Sequence, residues 1–316
     1  MATLAAAKNL RKFFKTPRGL LHAVDGVDVE IEEGTTLGVV GESGCGKSTL
    51  GRLMLRLIEP TSGDIFFAGD NICRYDAGKM KKMRTKMQII FQDPYSSLNP
   101  RMSVSQIIAE PIVSNSLIKD PRKINERVEE LMDTVGMARR FINSYPHELD
   151  GGRRQRIGVA RALAVEPSFI VCDEPVSALD VSIQAQILNL MMDLQDSMGL
   201  TYMFITHDLS VVKHISDEIV VMYLGQCVER VRSGELFRNP LHPYTKALLA
   251  AIPVPDLRFR GKKRDILSGE VRSPIDPPPG CRFAPRCRSV SEKCLESGIS
   301  LKEVEKGHHV ACSLYG

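Results

Sequence analysis

Residues Gly41–Thr49 read GESGCGKST, a complete match to the pattern G-x-x-x-x-G-K-[ST]. The apolar stretch before it, LGVV, predicts a buried strand, and TLGRLML, which begins at Thr49, predicts a helix. A glycine-rich turn that leads into a helix presents backbone N–H groups and a favourable helix dipole to an anion. The stretch therefore predicts a nucleotide phosphate loop in an α/β domain.

Each residue type in this phosphate loop suits one task. The ammonium group of Lys47 is expected to reach the β- and γ-phosphate oxygens, and the hydroxyl of Ser48 to ligate Mg²⁺. The surrounding backbone is expected to wrap the β-phosphate. The other predicted nucleotide-contacting residues of the loop are Gly41, Ser43, Gly44, Cys45, Gly46 and Thr49.

Polar residues follow three further apolar stretches. The stretch Ser168–Pro175, SFIVCDEP, predicts a strand that ends in Asp173 and Glu174. Asp173 is expected to hold Mg²⁺ and Glu174 to act as general base on the attacking water, as phosphoryl transfer requires. His207 ends FITHD and Gln92 follows IIF, so both are predicted at the same carboxyl edge of a parallel sheet. Gln92 is a candidate for sensing Mg²⁺ or water. The alternatives are that His207 is a structural histidine and that Gln92 is a solvated turn residue.

The order of the hydrophobic patterns predicts an α/β body interrupted by a helical insertion. Strands are predicted at Thr36–Val40, Met87–Phe91, Thr201–Ile205 and Glu218–Met222, and helices at Ile124–Val135, Val181–Ser197 and Leu209–Ile215. The predicted segments are 1–95 (first part of a nucleotide-binding core), 96–155 (helical subdomain), 156–238 (second part of the core) and 239–316 (C-terminal extension). A linker is predicted near 253–263.

Composition indicates an ordinary globular protein. Of 316 residues, 43% are hydrophobic and 25% charged, with a net charge of +4. The apolar runs are too short to span a bilayer and the N-terminal charges are in the wrong order for a secretory signal, so a cytosolic protein is expected. The basic stretches Lys79–Lys86 and Arg258–Arg264 lack the interleaved aromatic residues that stack on bases, so no nucleic-acid partner is predicted.

Four of the eight cysteines crowd near the C-terminus. They are Cys281, Cys287, Cys294 and Cys312. In a reducing cytosol such a cluster indicates a metal before disulfides, and four thiolates suit either zinc or an iron–sulfur cluster. The close C-x₂-C pairs usual in zinc sites are missing, and four free thiols are the alternative. His308 and His309 are expected to be ordinary surface residues.

In chain order, GESGCGKST, IIFQDP, LDGGRRQR, FIVCDEP, SALD and ITHD resemble the motifs of the ATP-binding cassette (ABC) ATPase family. The similarity runs from about Lys8 to Asn239. The stretches QDPYSSLNPRMSV (Gln92–Val104) and NPLHPYTKALL (Asn239–Leu249), with the terminal cysteines, resemble the dipeptide/oligopeptide importer cassettes, a group that also includes some nickel importers.

The resemblance implies a P-loop NTPase core with an N-terminal antiparallel β part, a helical insertion subdomain and a small C-terminal cysteine-rich extension. It implies ATP and Mg²⁺ as cofactors and favours a [4Fe–4S] cluster over Zn²⁺ at the cysteines. Phe14 matches the position that stacks on adenine, although the adjacent Phe13 is an alternative. Asp180 ends the loop, Ser177–Asp180, that crosses to a partner's site in this family.

The resemblance also implies partners. Cassettes of this family dimerise head to tail, and each ATP lies between one phosphate loop and the partner's signature loop. A second ABC ATPase chain, two transmembrane permease subunits that dock near Gln92, and an extracytoplasmic solute-binding protein are expected. The chain would then lie at the cytoplasmic face of the cell membrane as a peripheral protein. The alternatives are import of nickel or another small solute, a soluble ABC ATPase acting on nucleic acid, and a regulatory subunit that hydrolyses little.

The signature loop (residues 149–156, LDGGRRQR) departs from the family's LSGGQ at two positions. Asp150 replaces the serine and Arg153 replaces the glutamine. An ionised carboxylate cannot donate a hydrogen bond to the γ-phosphate and repels it, which predicts a weakened site and an asymmetric heterodimer. Alternatively, Asp150 caps the following helix, Arg153 neutralises it, and the amides of Gly151 and Gly152 still bind the phosphate.

Overall fold

The computed structural model describes residues 2–252, 273–296 and 299–315. The predicted linker at 253–263 lies outside these residues. The chain divides into two compact units, of which the first contains mainly Arg74–Ile205. The second unit contains Ala5–Ile31, Thr36–Cys73 and the chain from Thr206 onward.

The described strands are β1 (Thr3–Thr16), β2 (Gly19–Glu32), β3 (Thr36–Val40), β4 (Ser62–Phe67), β5 (Asp70–Asn71), β6 (Met87–Ile90), β7 (Phe169–Asp173), β8 (Thr201–Ile205), β9 (Glu218–Tyr223), β10 (Gln226–Arg232), β11 (Lys302–Glu305) and β12 (His308–Val310). The described α-helices are α1 (Lys47–Met54), α2 (Ala77–Lys86), α3 (Pro94–Ser97), α4 (Val104–Ser114), α5 (Pro121–Thr134), α6 (Gly151–Leu163), α7 (Val181–Met198), α8 (Leu209–Ile215), α9 (Ser233–Arg238) and α10 (Pro243–Ala251).

The first unit combines a parallel sheet with the helical insertion. Strand β6 pairs with β7, and β7 pairs with β8, both in parallel. The strands β7 and β8 are buried at every position, which explains why they read as continuous apolar runs. Helix α4 packs against α5 and α6. Its first turn is closed by a capping box between Ser103 and Gln106.

The described residues of the second unit form strands in two sheets. In one, β3 pairs with β9 in parallel, and β10 and β12 extend it as antiparallel strands. In the other, the order is β2-β1-β4-β5, with β1 antiparallel to β4. The predicted P-loop fold with an N-terminal antiparallel part is therefore confirmed.

The continuous apolar patterns predicted the buried elements well. Strands β3 and β8 and helix α8 have the predicted bounds. Strand β1 was not predicted, because the stretch LAAAKNLRKFFK does not alternate and its pairing with β4 shifts register between Lys8 and Arg11. Asn9, inside that irregularity, has a positive φ of 45°.

A buried carboxylate joins the C-terminal strands to helix α10. Glu229 of β10 is fully buried and accepts hydrogen bonds from the backbone N–H groups of Leu241 (2.7 Å) and His242 (3.0 Å). Its side chain also lies 2.7 Å from the Nε2 of His308. The expectation that His308 is a surface residue is therefore wrong, since β12 pairs with β10 and buries this side chain.

Replacing His242 by Asn is expected to flatten the pH dependence of stability. The Nδ1 of His242 accepts a hydrogen bond from the backbone of Tyr244 and caps α10, and burial lowers the pKa of His242 from 6.5 to about 4. The unfolded state therefore binds more protons, and the wild-type free energy of unfolding should fall by up to about 3 kcal/mol from pH 6.5 to 4. Asn caps helices without titrating. Urea unfolding at several pH values checks this, and an equal decline in both proteins would contradict it.

Candidate active site

The phosphate loop connects β3 to α1 in the second unit, as predicted. Its glycines 41, 44 and 46 all have positive φ values, 153°, 78° and 104°. A Cβ atom at Gly46 would lie 2.1 Å from the carbonyl oxygen of Ala23. Only glycine satisfies both the backbone conformation and this close approach, which accounts for the fixed glycine of the pattern.

The ammonium group of Lys47 lies inside the loop. This side chain is buried, and its Nζ donates to the carbonyl oxygens of Gly41 (2.8 Å) and Glu42 (3.0 Å). The carbonyls thus hold the cation at the centre of the loop, where a phosphate would bind. Cys45 is also buried, and burial raises the pKa of its thiol, so it acts here as a small apolar residue.

The first unit brings Gln92 and Glu174 together. Gln92 follows β6 and Glu174 follows β7, and the Nε2 of Gln92 donates to the carboxylate of Glu174 at 3.0 Å. The backbone N–H of Glu174 donates to the carbonyl of Ile205, at the end of β8. This confirms that these residues share the carboxyl edge of the parallel sheet.

Glu174 has a strained backbone. Its φ of 49° lies in the left-handed region, which costs a glutamate roughly 1–3 kcal/mol. The turn is held by Ser177, whose backbone N–H and hydroxyl both donate to the Glu174 carbonyl, at 3.3 and 3.1 Å. Asp173, the last residue of β7, is buried. Strain supported by its surroundings is typical of a functional position.

His207 and Phe14 belong to the second unit. Residue Thr206, just before His207, donates its backbone N–H to Val39 of β3, two residues before the phosphate loop. His207 therefore lies near the end of β3 from which that loop begins. Phe14 is 37% exposed, and the ammonium of Lys12 lies 5.0 Å from the centroid of its ring. Phe13 instead packs on the ring of His22 at 4.1 Å, which leaves Phe14 as the more available ring.

The signature loop contains a neutralised carboxylate. Asp150 is the N-cap of α6, where its Oδ1 accepts from the backbone N–H of Arg153 at 2.8 Å. Its Oδ2 lies 2.8 Å from the guanidinium of the same Arg153, which also lies 4.7 Å from the centroid of the Phe141 ring. Both oxygens are thus engaged by one residue. The capping interpretation of Asp150 holds, and its negative charge is paired.

The two signature glycines pack against the start of α7. A Cβ atom at Gly152 would lie 2.7 Å from the Ile183 side chain, and one at Gly151 would lie 3.1 Å from Leu179. Asp180, the N-cap position of α7, is exposed. The glycines are therefore needed for close packing of the signature loop on the segment around Asp180.

The four C-terminal cysteines are all free thiols. Across residues 2–252, 273–296 and 299–315, no group of three or more His, Cys, Asp or Glu side chains is arranged to hold a metal ion. The Sγ of Cys294 lies 3.0 Å from the hydroxyl of Ser313. Cys281 and Cys287 pack against the aromatic core of the second unit. The structure thus does not support the predicted iron–sulfur or zinc site.

Sequence reasoning missed contacts that reach the phosphate loop from the C-terminal part of the chain. The Tyr244 hydroxyl accepts a hydrogen bond from the backbone N–H of Glu42 at 2.8 Å. The guanidinium of Arg286 forms two hydrogen bonds with the Glu42 carboxylate, at 2.7 and 3.1 Å. Glu42 occupies a variable position of the loop pattern, so the pattern did not predict a role for it.

None of the helices in the described part of the chain is long and apolar enough to cross a membrane.

Two family profiles match this chain. The profile described as ABC transporter matches residues 24–177, and that described as oligopeptide/dipeptide transporter, C-terminal region, matches residues 228–294. The chain is 51% identical to the oligopeptide transport ATP-binding protein OppF of Bacillus subtilis, over 98% of this chain and 96% of the relative. It is 49% identical to the dipeptide transport ATP-binding protein DppF of Haemophilus influenzae, over 98% of this chain and 96% of that one.

Solved structures of ATP-binding cassettes have the same fold. A dimeric cassette in a post-hydrolysis state, bound to ADP and phosphate, superposes with a TM-score of 0.67 at 27% identity, covering 73% of this chain and 99% of that one. CbiO1 of Clostridium perfringens, part of an ABC transporter complex, superposes with a TM-score of 0.68 at 27% identity, covering 76% and 92%.

Proposed function

The chain belongs to the ABC transporter family of ATPases, and we propose that it is the ATP-hydrolysing subunit of an importer for dipeptides or oligopeptides. The observation that carries this proposal is the sequence identity of 49–51% to peptide transport ATP-binding proteins over 98% of this chain. The C-terminal profile match supports the peptide class, because it covers a region beyond the ATPase core. Import of nickel or another small solute is the alternative substrate class.

The proposed roles of the site residues rest on the motifs of the family and are supported by the geometry within each unit. Lys47 and the loop amides bind the phosphates, while Ser48 and Asp173 hold Mg²⁺. Glu174 takes a proton from the attacking water, and Gln92 orients its carboxylate through the 3.0 Å hydrogen bond. His207 contacts the γ-phosphate. Phe14 stacks on adenine.

The proposed assembly contains a second, different cassette, two transmembrane permease subunits and an extracytoplasmic solute-binding protein. The chain acts at the cytoplasmic face of the cell membrane as a peripheral subunit. We retain the functional division into 1–95, 96–155, 156–238 and 239–316, in which the helical subdomain and Gln92 receive the permeases. ATP binding closes the two cassettes, and hydrolysis reopens them.

Peptide uptake by the reconstituted assembly tests this function. Proteoliposomes with the permeases, both cassettes and the binding protein should take up labelled di- and oligopeptides in the presence of internal ATP. Uptake should stop when Glu174 is replaced by Gln. Uptake of Ni²⁺ without peptide would favour the alternative substrate, and unchanged peptide uptake with Glu174→Gln would indicate a regulatory subunit.

Replacing Arg153 by Gln is expected to lower turnover at the ATP site that this signature loop completes, by about three- to tenfold. The substitution leaves the Asp150 carboxylate unpaired beside the phosphate position. Both partners are partly exposed, so the effect is modest. A Glu174→Gln background in this chain silences its own site, and phosphate release then reports the partner's ATP.

The matched variant is Asp150→Ser with Arg153→Gln, which removes the carboxylate and the guanidinium together. This double variant should recover at least the wild-type rate. An equal loss of ATP turnover in the single and the double variant would show that the charge of Asp150 does not affect this site. Equal turnover at both sites of the wild-type dimer would contradict the asymmetric heterodimer.

Iron–sulfur binding by Cys281, Cys287, Cys294 and Cys312 is a separate hypothesis. Its support is the clustering of four cysteines near the C-terminus of the sequence, two of which are joined by a hydrogen bond from the backbone N–H of Cys281 to the carbonyl of Cys294 at 2.8 Å. Iron, acid-labile sulfide and zinc analysis of anaerobically isolated full-length protein tests it. Stoichiometric iron and sulfide, lost in Cys294→Ser, would support a cluster. Protein without iron, sulfide or zinc would leave four free thiols.

A further inference from the structure

Glu42, the second residue of the phosphate loop, is held at its backbone and its side chain by residues from the C-terminal part of the chain. Its N–H donates to the Tyr244 hydroxyl at 2.8 Å, and its carboxylate receives two hydrogen bonds from Arg286. Its carbonyl oxygen accepts from the ammonium of Lys47 at 3.0 Å. Glu42 therefore connects Arg286 and Tyr244 directly to the phosphate-binding lysine.

Arg286 and Tyr244 are themselves held by a packed cluster of aromatic rings. The Arg286 side chain is only 7% exposed, and Tyr244 is fully buried. The rings of Tyr223, Tyr244 and Phe283 pack on one another with centroids 4.7 to 5.4 Å apart. The guanidinium of Arg286 also lies 3.4 Å from the Tyr223 hydroxyl. Because a planar guanidinium that donates two parallel hydrogen bonds fixes the orientation of the carboxylate it binds, the buried Arg286 fixes the orientation of the Glu42 carboxylate.

The charge of Glu42 gives this contact a second consequence. A carboxylate in a loop that binds a triphosphate repels the nucleotide unless it is neutralised. Arg286 supplies the neutralising charge from within a poorly solvated site. The pair therefore sets both the shape and the local charge of the loop.

We propose that Arg286 and Tyr244 are positioning residues for ATP binding, through which the C-terminal part of the chain holds the phosphate loop in its nucleotide-accepting conformation. This gives the residues beyond the ATPase core a task in nucleotide binding. It goes beyond the proposed transport of peptides. Neither residue needs to touch ATP, because both act through Glu42.

The test is ATP affinity, measured by isothermal titration of full-length protein in a Glu174→Gln background with Mg²⁺ present. Arg286→Gln should weaken ATP binding by about tenfold, while Arg286→Lys, which keeps the charge but not the paired geometry, should lose less. Adding Glu42→Gln to Arg286→Gln should cause no further loss, since both changes break the same contact. Lys302→Gln, an exposed charge removal on β11, is the control and should bind ATP normally.

Wild-type affinity in folded Arg286→Gln, or independent losses from Glu42→Gln and Arg286→Gln that multiply in the double variant, would overturn the proposal. If Arg286→Gln does not fold, as shown by its melting curve, Tyr244→Phe decides, since it removes only the hydroxyl. That variant should bind ATP a few-fold more weakly, which corresponds to about the net free-energy contribution of one hydrogen bond. Unchanged affinity in folded Tyr244→Phe would also overturn the proposal. Because no peptide is involved, this result is independent of the transport assay.

Discussion

Replacing Glu174 by Gln is expected to lower ATP turnover by about a hundredfold or more, the usual contribution of a general base. The glutamine has nearly the same shape and retains an oxygen that can accept from Gln92, so the hydrogen bond of 3.0 Å can persist. It cannot accept a proton from water at neutral pH. Phosphate release by the chain mixed with its proposed partner cassette measures this, with the corresponding glutamate-to-glutamine change in the partner to remove its contribution.

The matched control is Asp196→Asn, which neutralises an exposed acid on α7 of the same unit. It should leave turnover unchanged. ATP binding should survive in Glu174→Gln, which separates loss of the base from loss of the site. Turnover within about twofold of wild type in Glu174→Gln would show that another group activates the water.

Replacing Lys47 by Met is expected to lower turnover by a similar factor, about a hundredfold or more, because it removes a preorganised cation aimed at the phosphates. Unlike Glu174→Gln, this change should also weaken ATP binding. The buried ammonium holds the carbonyls of Gly41 and Glu42, so the empty loop should lose part of its order as well. Titration with ATP and a melting curve with and without nucleotide measure both effects.

Lys81→Met is the control for Lys47→Met, since it makes the same change at an exposed position of α2. It should bind and hydrolyse ATP normally. If Lys47→Met kept wild-type ATP affinity, the phosphates would have to be held by the loop amides alone. Nucleotide should raise the melting temperature of the control and fail to raise that of Lys47→Met at the same concentration.

The buried parts of the fold could be predicted because their signals are local. The phosphate loop pattern needs glycine at positions with positive φ, and β3 and β8 are mostly apolar because every one of their residues is buried. Strand β1 gives no such signal, since its residues do not alternate between buried and exposed, and an irregularity at Asn9 interrupts it. Strand β12 is three residues long, and its pairing with β10 and β11 makes it a strand, in which His308 is buried beside Glu229.

The sequence by itself determined the chemistry of this protein: a phosphate loop, two acids after a buried strand, and the motif order of a family. The tertiary structure decided which side chains are in contact. Arg153 pairs with Asp150 because helix geometry places residues three apart on one face, whereas the sequence allowed either a paired or a free carboxylate. Arg286 meets Glu42 across 244 positions of the chain. Contacts between residues so far apart follow from packing, because no local pattern encodes them.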